Sequence, residues 1–518
     1  MLGPPRVVRE GGPAPLELRP KAMALLVRVA LATAPVSRQE LADELFHDAE
    51  DPRGALRWHL AYLRRTLPAA LARGLETTPR DVVAAIETDV DQFLALMRDA
   101  LENPAGEAAA AAVGLYRGDL CEGLRVAASA SFEGWLYVEQ EQLRHRFRRL
   151  MLDHARACLR DGRPHDALAG LSRLIDSDPF LEDGHVLLIE CFEAAADPAA
   201  ARHAYDRYSR MVRDELGAEP RASLAERFGD TRGGTTLPVD DLVTLGRLTM
   251  HIVDWPGKLG PILAIHGSGG GAHNLTAVAE ALAPDYRVLA ADLRGHGLSD
   301  KPRIGYELAD HVADLRELLA ELGVRRPIVL GYSIGGAVAT ALATEVQPRA
   351  LVLLEGIVGD GAFIDGASIV RERIGRTLDL RFSGIDEYLA AWRVEPPKWS
   401  RHTLGLVERS TRLDLARLPD GTYRRRALRF ALDELWRSAG GSDTLGLLSR
   451  VRCPVLLVRA GQRWLNDRPY FSPETIEAQR RAARNATVYV AENCDHGTLA
   501  RNPEPGLIEA IRAFLKDV

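Results

Sequence analysis

Residues 327–343 read Pro327-Ile-Val-Leu-Gly331-Tyr-Ser333-Ile-Gly335-Gly336-Ala-Val-Ala-Thr-Ala-Leu-Ala343. Pro327–Leu330 is an apolar run of strand type, and the alanine-rich stretch after Gly336 is of helix type. Between them, Gly331-x-Ser333-x-Gly335 has the G-x-S-x-G spacing of a nucleophile elbow. So tight a turn leaves no room for side chains beside the serine. Glycine therefore flanks it, and the Ser333 hydroxyl is held at the strand's tip. The pattern alone is common in loops. The strand before it and the helix after it make Ser333 a candidate nucleophile.

Working outward, Leu242–Leu245 through Trp255 reads as an opening strand pair. Pro261–Ile265 is a buried strand that ends in His266-Gly267-Ser268-Gly-Gly-Gly271. Arg287–Ala291 is the next, ending in Asp292-Leu-Arg-Gly-His-Gly-Leu-Ser-Asp300, and Ala350–Leu354 and Pro454–Val458 are later strands. Strands that alternate with helices predict a mostly parallel α/β sheet.

A serine nucleophile needs a base, an orienting acid and an oxyanion site. The base is expected after the last strand, Val488–Val490, where Asn493-Cys-Asp-His496-Gly497 supplies His496. The backbone N–H groups of Ile334 and Ser268 are the expected oxyanion donors. His273 is a candidate for the pocket wall. Serine at the elbow points to acyl transfer, for which no metal or organic cofactor is needed.

The motifs H-G-x-G-G, D-L-R-G-H-G-x-S-D and G-Y-S-I-G-G together resemble the α/β-hydrolase superfamily over residues 240–518. The resemblance implies that the helical insertion at about 359–449, which includes Ile385–Trp392 and Tyr423-Arg-Arg-Arg426, is a cap that selects substrate. It also gives His266 and His296 packing or hydrogen-bonding roles in their loops. Many relatives carry the acid three residues after the glycine that ends the penultimate strand, but here Gly461-Gln-Arg-Trp464 puts tryptophan there. A minority place it at the end of the strand after the elbow, where Leu351-Val-Leu-Leu-Glu355 offers a glutamate. Packing explains a carboxylate at the tip of a buried strand poorly. Glu355 is therefore favoured, with Asp467 the alternative and Asp360 behind it.

Residues 1–95 read as a short strand, three helices and a strand pair. Pro20–Ala32 is apolar at Ala22, Leu25, Leu26, Val29 and Ala30, and Ser37-Arg-Gln-Glu40 has the form of a capping box. In Pro52–Leu67 the residues Leu56, Leu60, Leu63 and Leu67 share one face, while the rest carries Arg53, Arg57, Trp58, Tyr62, Arg64 and Arg65. Thr77-Thr-Pro-Arg-Asp81 then reads as the tip of a wing. Such a helix–turn–helix offers its last helix to the major groove.

The segments Leu2–Val7, Leu18–Ala22 and Ala55–Leu67 resemble the winged-helix DNA-binding domain of the antibiotic-regulatory-protein (SARP) family, with Ala61 and Tyr62 where serine and arginine are common. Residues 96–228 look helical throughout, and Pro164 and Pro198 mark a tetratricopeptide-like repeat, as do Ala167 and Ala201. Leu115–Leu120, Phe132–Leu136 and Asp214–Pro220 resemble the bacterial transcriptional activation domain. The two resemblances imply double-stranded DNA as partner, protein contacts that include RNA polymerase, and pairing of two copies.

A chain of 518 residues suits about three domains. The expected architecture is multidomain. An α+β winged helix–turn–helix occupies 1–95, an all-α tetratricopeptide-like domain 96–228, a linker 229–239 and an α/β-hydrolase fold with helical cap 240–518. A net charge of −6 announces neither nucleic acid nor membrane, and only five of the basic residues are lysines. Five scattered cysteines without C-x-x-C spacing argue against both a disulfide framework and a zinc site. With no signal pattern at Met1–Arg6 and no long apolar run, a cytoplasmic protein without membrane contact is expected. Its hydrolase half is expected to cleave or sense a small acyl or ester-type molecule.

Overall fold

The computed structural model describes residues 1–8, 15–126, 129–230, 238–283, 285–356, 364–392, 401–418, 420–463, 470–516 and 518. The chain divides into two compact units, Met1–Ser177 with Glu190–Pro198, and Asp178–Ile189 with Ala199–Val518.

In the first unit, helix α1 (Pro20–Ala30) begins on a proline, whose missing N–H is harmless in a first turn, and buries Ala22, Leu25, Leu26 and Val29. Strand β1 (Val36–Ser37) leads into α2 (Arg38–Phe46). Ser37 Oγ accepts the Gln39 N–H at 3.2 Å, while Glu40 pairs with Arg28 at 2.6 Å. The capping box expected of Ser37 and Glu40 is thus a one-sided cap, because a guanidinium on α1 competes for the glutamate. Helix α3 (Pro52–Thr66) is capped by Asp51, which accepts the Gly54 N–H at 2.8 Å. Its Leu56, Leu60 and Leu63 are buried, as is Leu67 just beyond it. Strands β2 (Leu75–Thr77) and β3 (Asp81–Ala84) form an antiparallel hairpin with Thr77 opposite Val82, and β1 adds through Val36 to make a three-stranded sheet. Residues 78–80 are its tip.

From residue 89 to 227 the elements are helices, among them Asp89–Glu102, Ala130–Arg160 and His165–Ser177 in the first unit and Pro198–Leu216, nearly all of it in the second. Ala167 and Ala201, at matching places near the starts of two of these, are buried to 0% and 1% exposure, as small residues at helix crossings require.

The second unit is built on eight strands. Strands β4 (Val239–Thr244), β5 (Thr249–Trp255), β6 (Leu259–Ile265), β7 (Tyr286–Ala291), β8 (Ile328–Tyr332) and β9 (Ala350–Leu354) come first. An insertion follows, with helices at Ile364–Asp379, Ile385–Trp392, Arg401–Asp414, Arg429–Gly440 and Thr444–Arg450. It is not helical throughout. Strands β10 (Leu415–Arg417) and β11 (Tyr423–Arg425) pair antiparallel across a turn in which Gly421 takes a φ of +82°, so the expected helical Tyr423–Arg426 is instead a hairpin arm. Strands β12 (Val455–Ala460) and β13 (Ala486–Ala491) complete the sheet.

The strand order is β13-β12-β9-β8-β6-β7-β5-β4, with β5 antiparallel to β4 and β7 and the other neighbours parallel. Helices cover both faces, which is why β8 and β9 read as unbroken apolar runs. Val329 and Leu353 belong to one core layer and Leu330 and Val352 to the other. No helix among the described residues is long and apolar enough to cross a membrane.

Candidate active site

Ser333 follows β8 directly and takes a φ of 55°, a left-handed conformation that a serine keeps only when its surroundings impose it. A Cβ on Gly331 would meet Ala339 and the Gly335 carbonyl, and one on Gly335 would run into the carbonyls of Ile265 and His266. The helix Gly335–Val346 returns across β8 and β6 at once, and only glycine permits it.

The register of β8 and β9 pairs Tyr332 with Leu354, so Ser333 and Glu355 follow at the tips of neighbouring strands. Glu355 has a positive φ as well, at 41°, and its N–H donates to the Val458 carbonyl at 3.0 Å. Its Oε1 accepts the Ala460 N–H at 3.0 Å, and its Oε2 accepts from His496 Nδ1 at 2.8 Å. With a carboxylate on Nδ1, a neutral imidazole keeps its proton there and offers Nε2 as acceptor. Ser333 Oγ lies 3.1 Å from that nitrogen. Ser333, Glu355 and His496 are 3%, 1% and 2% exposed, and burial at this level strengthens each hydrogen bond in the chain.

The turn after β13 carries His496. Asp495 and Thr498 brace it, each donating its N–H to the other's side-chain oxygen at 2.8 Å. The Tyr332 hydroxyl donates to the His496 carbonyl at 2.9 Å. Both Tyr332 and Tyr470 stack with the imidazole, at 5.2 and 3.5 Å between ring centroids. Sequence reasoning missed both. Tyr332 stands inside the elbow motif, which is a signal of sorts, while Tyr470 sits in a long connection and gave none.

Opposite the histidine runs the loop after β6. A Cβ on Gly267 would lie 2.9 Å from the Tyr332 ring and 3.1 Å from Ser333 Cβ, so glycine lets this loop reach the serine. Neither the Ile334 nor the Ser268 N–H enters a backbone hydrogen bond among the described residues. His266 is held between Gly267, whose carbonyl lies 2.8 Å from Nδ1, and the Leu293 N–H, which donates to Nε2 at 3.1 Å. Burial pushes its pKa down, so it braces the loop as a neutral ring. The insertion grips the same loop. Trp436 Nε1 donates to Ser268 Oγ at 3.0 Å, and Arg425 donates to the Gly269 carbonyl and, at 3.0 Å, to Thr377 Oγ1.

Asp292 ties the loop's far end down, accepting the N–H groups of Ala272 at 2.6 Å and Leu298 at 2.7 Å. Burial would raise its pKa, but the attraction of His251 and these hydrogen bonds hold it well below the carboxylate range. The alternative acids Asp467 and Asp360, and Trp464, lie outside the described residues.

On α3, Arg53, Arg57, Trp58, Arg64 and Arg65 are exposed and Tyr62 is half-buried. Arg53 donates to Gln39 Oε1 at 2.8 Å, Arg57 faces Asp51 at 3.3 Å, and Arg64 donates to Thr77 Oγ1 at 2.6 Å, anchoring the base of the wing. Trp58 and Tyr62 stack at 5.5 Å, with the Arg19 guanidinium 5.0 Å from the indole.

A mostly parallel sheet with a serine at a strand–helix elbow and a histidine after the last strand defines the α/β-hydrolase fold. Residues 262–509 match the model of the alpha/beta hydrolase family, and residues 88–229 match that of the bacterial transcriptional activator domain. The chain belongs to the alpha/beta hydrolase family through its C-terminal part and carries a bacterial transcriptional activator domain ahead of it. A protein of Cronobacter turicensis named "Putative carbamate hydrolase RutD" is 32% identical over 220 residues, 41% of this chain and 77% of that protein. An uncharacterized protein of Mycobacterium tuberculosis is 44% identical over 103 residues, 19% of this chain, and the chain spans only 30% of that relative's length. The solved structure of E-2-(acetamidomethylene)succinate hydrolase has a TM-score of 0.47 at 24% identity, covering 54% of this chain and 99% of that one.

Proposed function

We propose that the C-terminal domain is a serine hydrolase of carboxylic esters or related small acyl compounds, carried on a DNA-binding transcriptional regulator. The reading rests on the continuous hydrogen-bonded chain from Ser333 Oγ through His496 to Glu355. His496 Nε2 takes the hydroxyl proton as Oγ adds to the acyl carbon. The resulting oxyanion is received by the N–H groups of Ile334 and Ser268. His496 then gives the proton to the leaving group, and water, deprotonated by the same nitrogen, releases the acid and frees Ser333. Glu355 keeps the imidazole in the tautomer that accepts and stabilises its protonated form.

A fluorophosphonate probe tests this. Wild type is expected to gain the mass of one probe molecule less HF, the fluoride leaving with the hydroxyl proton, and Ser333→Ala is expected to gain nothing. A well-folded wild type that stays unlabelled would sink the enzyme reading. The activator-domain match favours the second reading, a receptor in which a ligand bound beneath the cap alters DNA binding.

The division proposed is a winged helix at 1–95, an activator domain at 96–228, a linker at 229–239 and the hydrolase at 240–518. The winged helix is assigned to duplex DNA through Arg53, Arg57, Trp58, Tyr62, Arg64 and Arg65, with two copies on a repeated site and contact to RNA polymerase through the activator domain. Replacing Arg57 and Arg65 together by alanine is expected to flatten the slope of log affinity against log salt concentration, by about one unit for each phosphate left unneutralised. Arg64→Ala should weaken binding further because the base of the wing loses its anchor. Binding that neither responds to salt nor suffers in these variants would leave the N-terminal half with protein contacts alone.

A further inference from the structure

We propose that Asp240, His251 and His273 bind one divalent transition-metal ion of the zinc class, at a site separate from the Ser333 machinery. Asp240 stands near the start of β4, His251 lies on the adjoining β5, and His273 sits in the short helix Ala272–Leu275 that follows the oxyanion loop. Asp240 Oδ1 is 2.9 Å from His251 Nε2 and 3.1 Å from His273 Nε2, and the three ligand atoms all lie within 4.8 Å of one another. Among the described residues no other group of three histidine, cysteine or carboxylate side chains converges in this way.

Tetrahedral zinc bound at about 2.0–2.1 Å keeps its ligand atoms about 3.3 Å apart. The two spacings to Asp240 need to open by only a few tenths of an ångström, with the ion taking the place of the protons through which both imidazoles now meet Asp240. The outer shell is already built. His251 Nδ1 lies 2.7 Å from Asp292 Oδ2, which fixes the ring with Nε2 aimed at Asp240 and makes it a better donor. Asp292 is itself held by the Ala272 and Leu298 N–H groups. His251 and His273 are 2% and 6% exposed, and the Asp240 side chain 18%, so the pair of rings is walled off while the carboxylate side stays open to a water ligand.

The charges close as well. A divalent ion is neutralised by Asp240 and Asp292 in a place where net charge is costly. Two imidazoles select zinc-class ions over magnesium and calcium, which prefer oxygen ligands. The ion would staple the segment leaving the oxyanion loop to the opening hairpin β4–β5, a structural role away from the tips of β8 and β9.

Full-length protein stripped with chelator and titrated with Zn2+ tests the site. One equivalent is expected to bind calorimetrically and to raise the melting temperature, as binding to the folded state alone must, whereas Mg2+ and Ca2+ leave it unchanged. His273→Ala and Asp240→Asn should each weaken binding by about 100-fold or more. X-ray absorption of zinc-loaded wild type, which depends on no variant folding, should give two imidazole ligands with oxygen in the rest of the shell. Failure of folded wild type to take up one equivalent overturns the proposal. So does a spectrum without imidazole, or undiminished affinity in folded His273→Ala.

Discussion

Glu355→Gln should lower the turnover of an activated ester by about 10⁴-fold while leaving the fold intact. The size of the effect follows from which atoms face which. The Ala460 N–H donates to Oε1, so a glutamine at this position keeps its carbonyl oxygen there and turns its amide NH2 toward His496. An NH2 group cannot accept from Nδ1–H. The imidazole must switch tautomers, placing its proton on Nε2, where it can no longer receive the Ser333 proton. Steady-state hydrolysis of a chromogenic ester measures the loss, and the rate of fluorophosphonate labelling measures it with no substrate to guess. Asp467→Asn and Asp360→Asn are expected to leave both rates unchanged. A large loss in Asp467→Asn beside a small one in Glu355→Gln would transfer the orienting role to the loop after β12.

The second large effect concerns stability. Asp314→Ala should destabilise the hydrolase unit by about 3–5 kcal/mol, because it strands a buried guanidinium. Arg294, in the Asp292–Asp300 motif, donates from Nε and Nη2 to the two oxygens of Asp314, each at 2.5 Å, and from Nη1 to the Gly305 carbonyl at 2.6 Å. Both side chains are under a tenth exposed, at 8% for Arg294 and 4% for Asp314. Asp310 lies 3.8 Å from the same guanidinium, is about a third exposed and accepts the Glu307 N–H at 3.0 Å at the start of its helix, so Asp310→Ala should cost about 1–2 kcal/mol. The shift of the urea midpoint reads both. Replacing Arg294 and Asp314 together with apolar residues of similar volume should recover much of the loss, since no charge is then left unpaired. If Asp314→Ala and Asp310→Ala shift the midpoint equally, the buried pair contributes no more than a surface one.

What the sequence made legible was whatever depends on neighbours along the chain. Ser333 is announced by glycines two residues away on each side, and Gly267 by its place behind a buried strand. The central strands β8 and β9 are apolar runs because both faces of the sheet are covered there. The hairpin of β10 and β11 escaped because its arms are three residues long and rich in arginine, which carries no strand periodicity. The placing of Glu355 beside His496 was legible only as a choice among acids, since it depends on the register of β8 with β9 and on a turn far along the chain. Trp436 and Tyr470 lay beyond reach for the same reason, as each meets the site from an element whose own pattern says nothing about where it docks. The convergence of Asp240, His251 and His273 is more extreme, because β4, β5 and a short helix bring together residues that no spacing rule connects. Scattered cysteines count against a cysteine zinc site and say nothing about one built from histidine.

The positive φ of Glu355 has a consequence for how such a domain can diverge. The end of β9 receives its geometry from the elbow strand on one side and β12 on the other, so an acid placed there inherits a position that the sheet already maintains. With Glu355 as the proposed acid, the triad needs no carboxylate from the stretch after β12. Residues 464–469 could then change in length and composition, provided that the Gln462 N–H still donates to the Cys494 carbonyl, at 2.9 Å, and Tyr470 still stacks on the histidine. Swapping this stretch between relatives should therefore be a tolerated graft, whereas moving the acid onto it would demand two coordinated changes with an inactive intermediate between them.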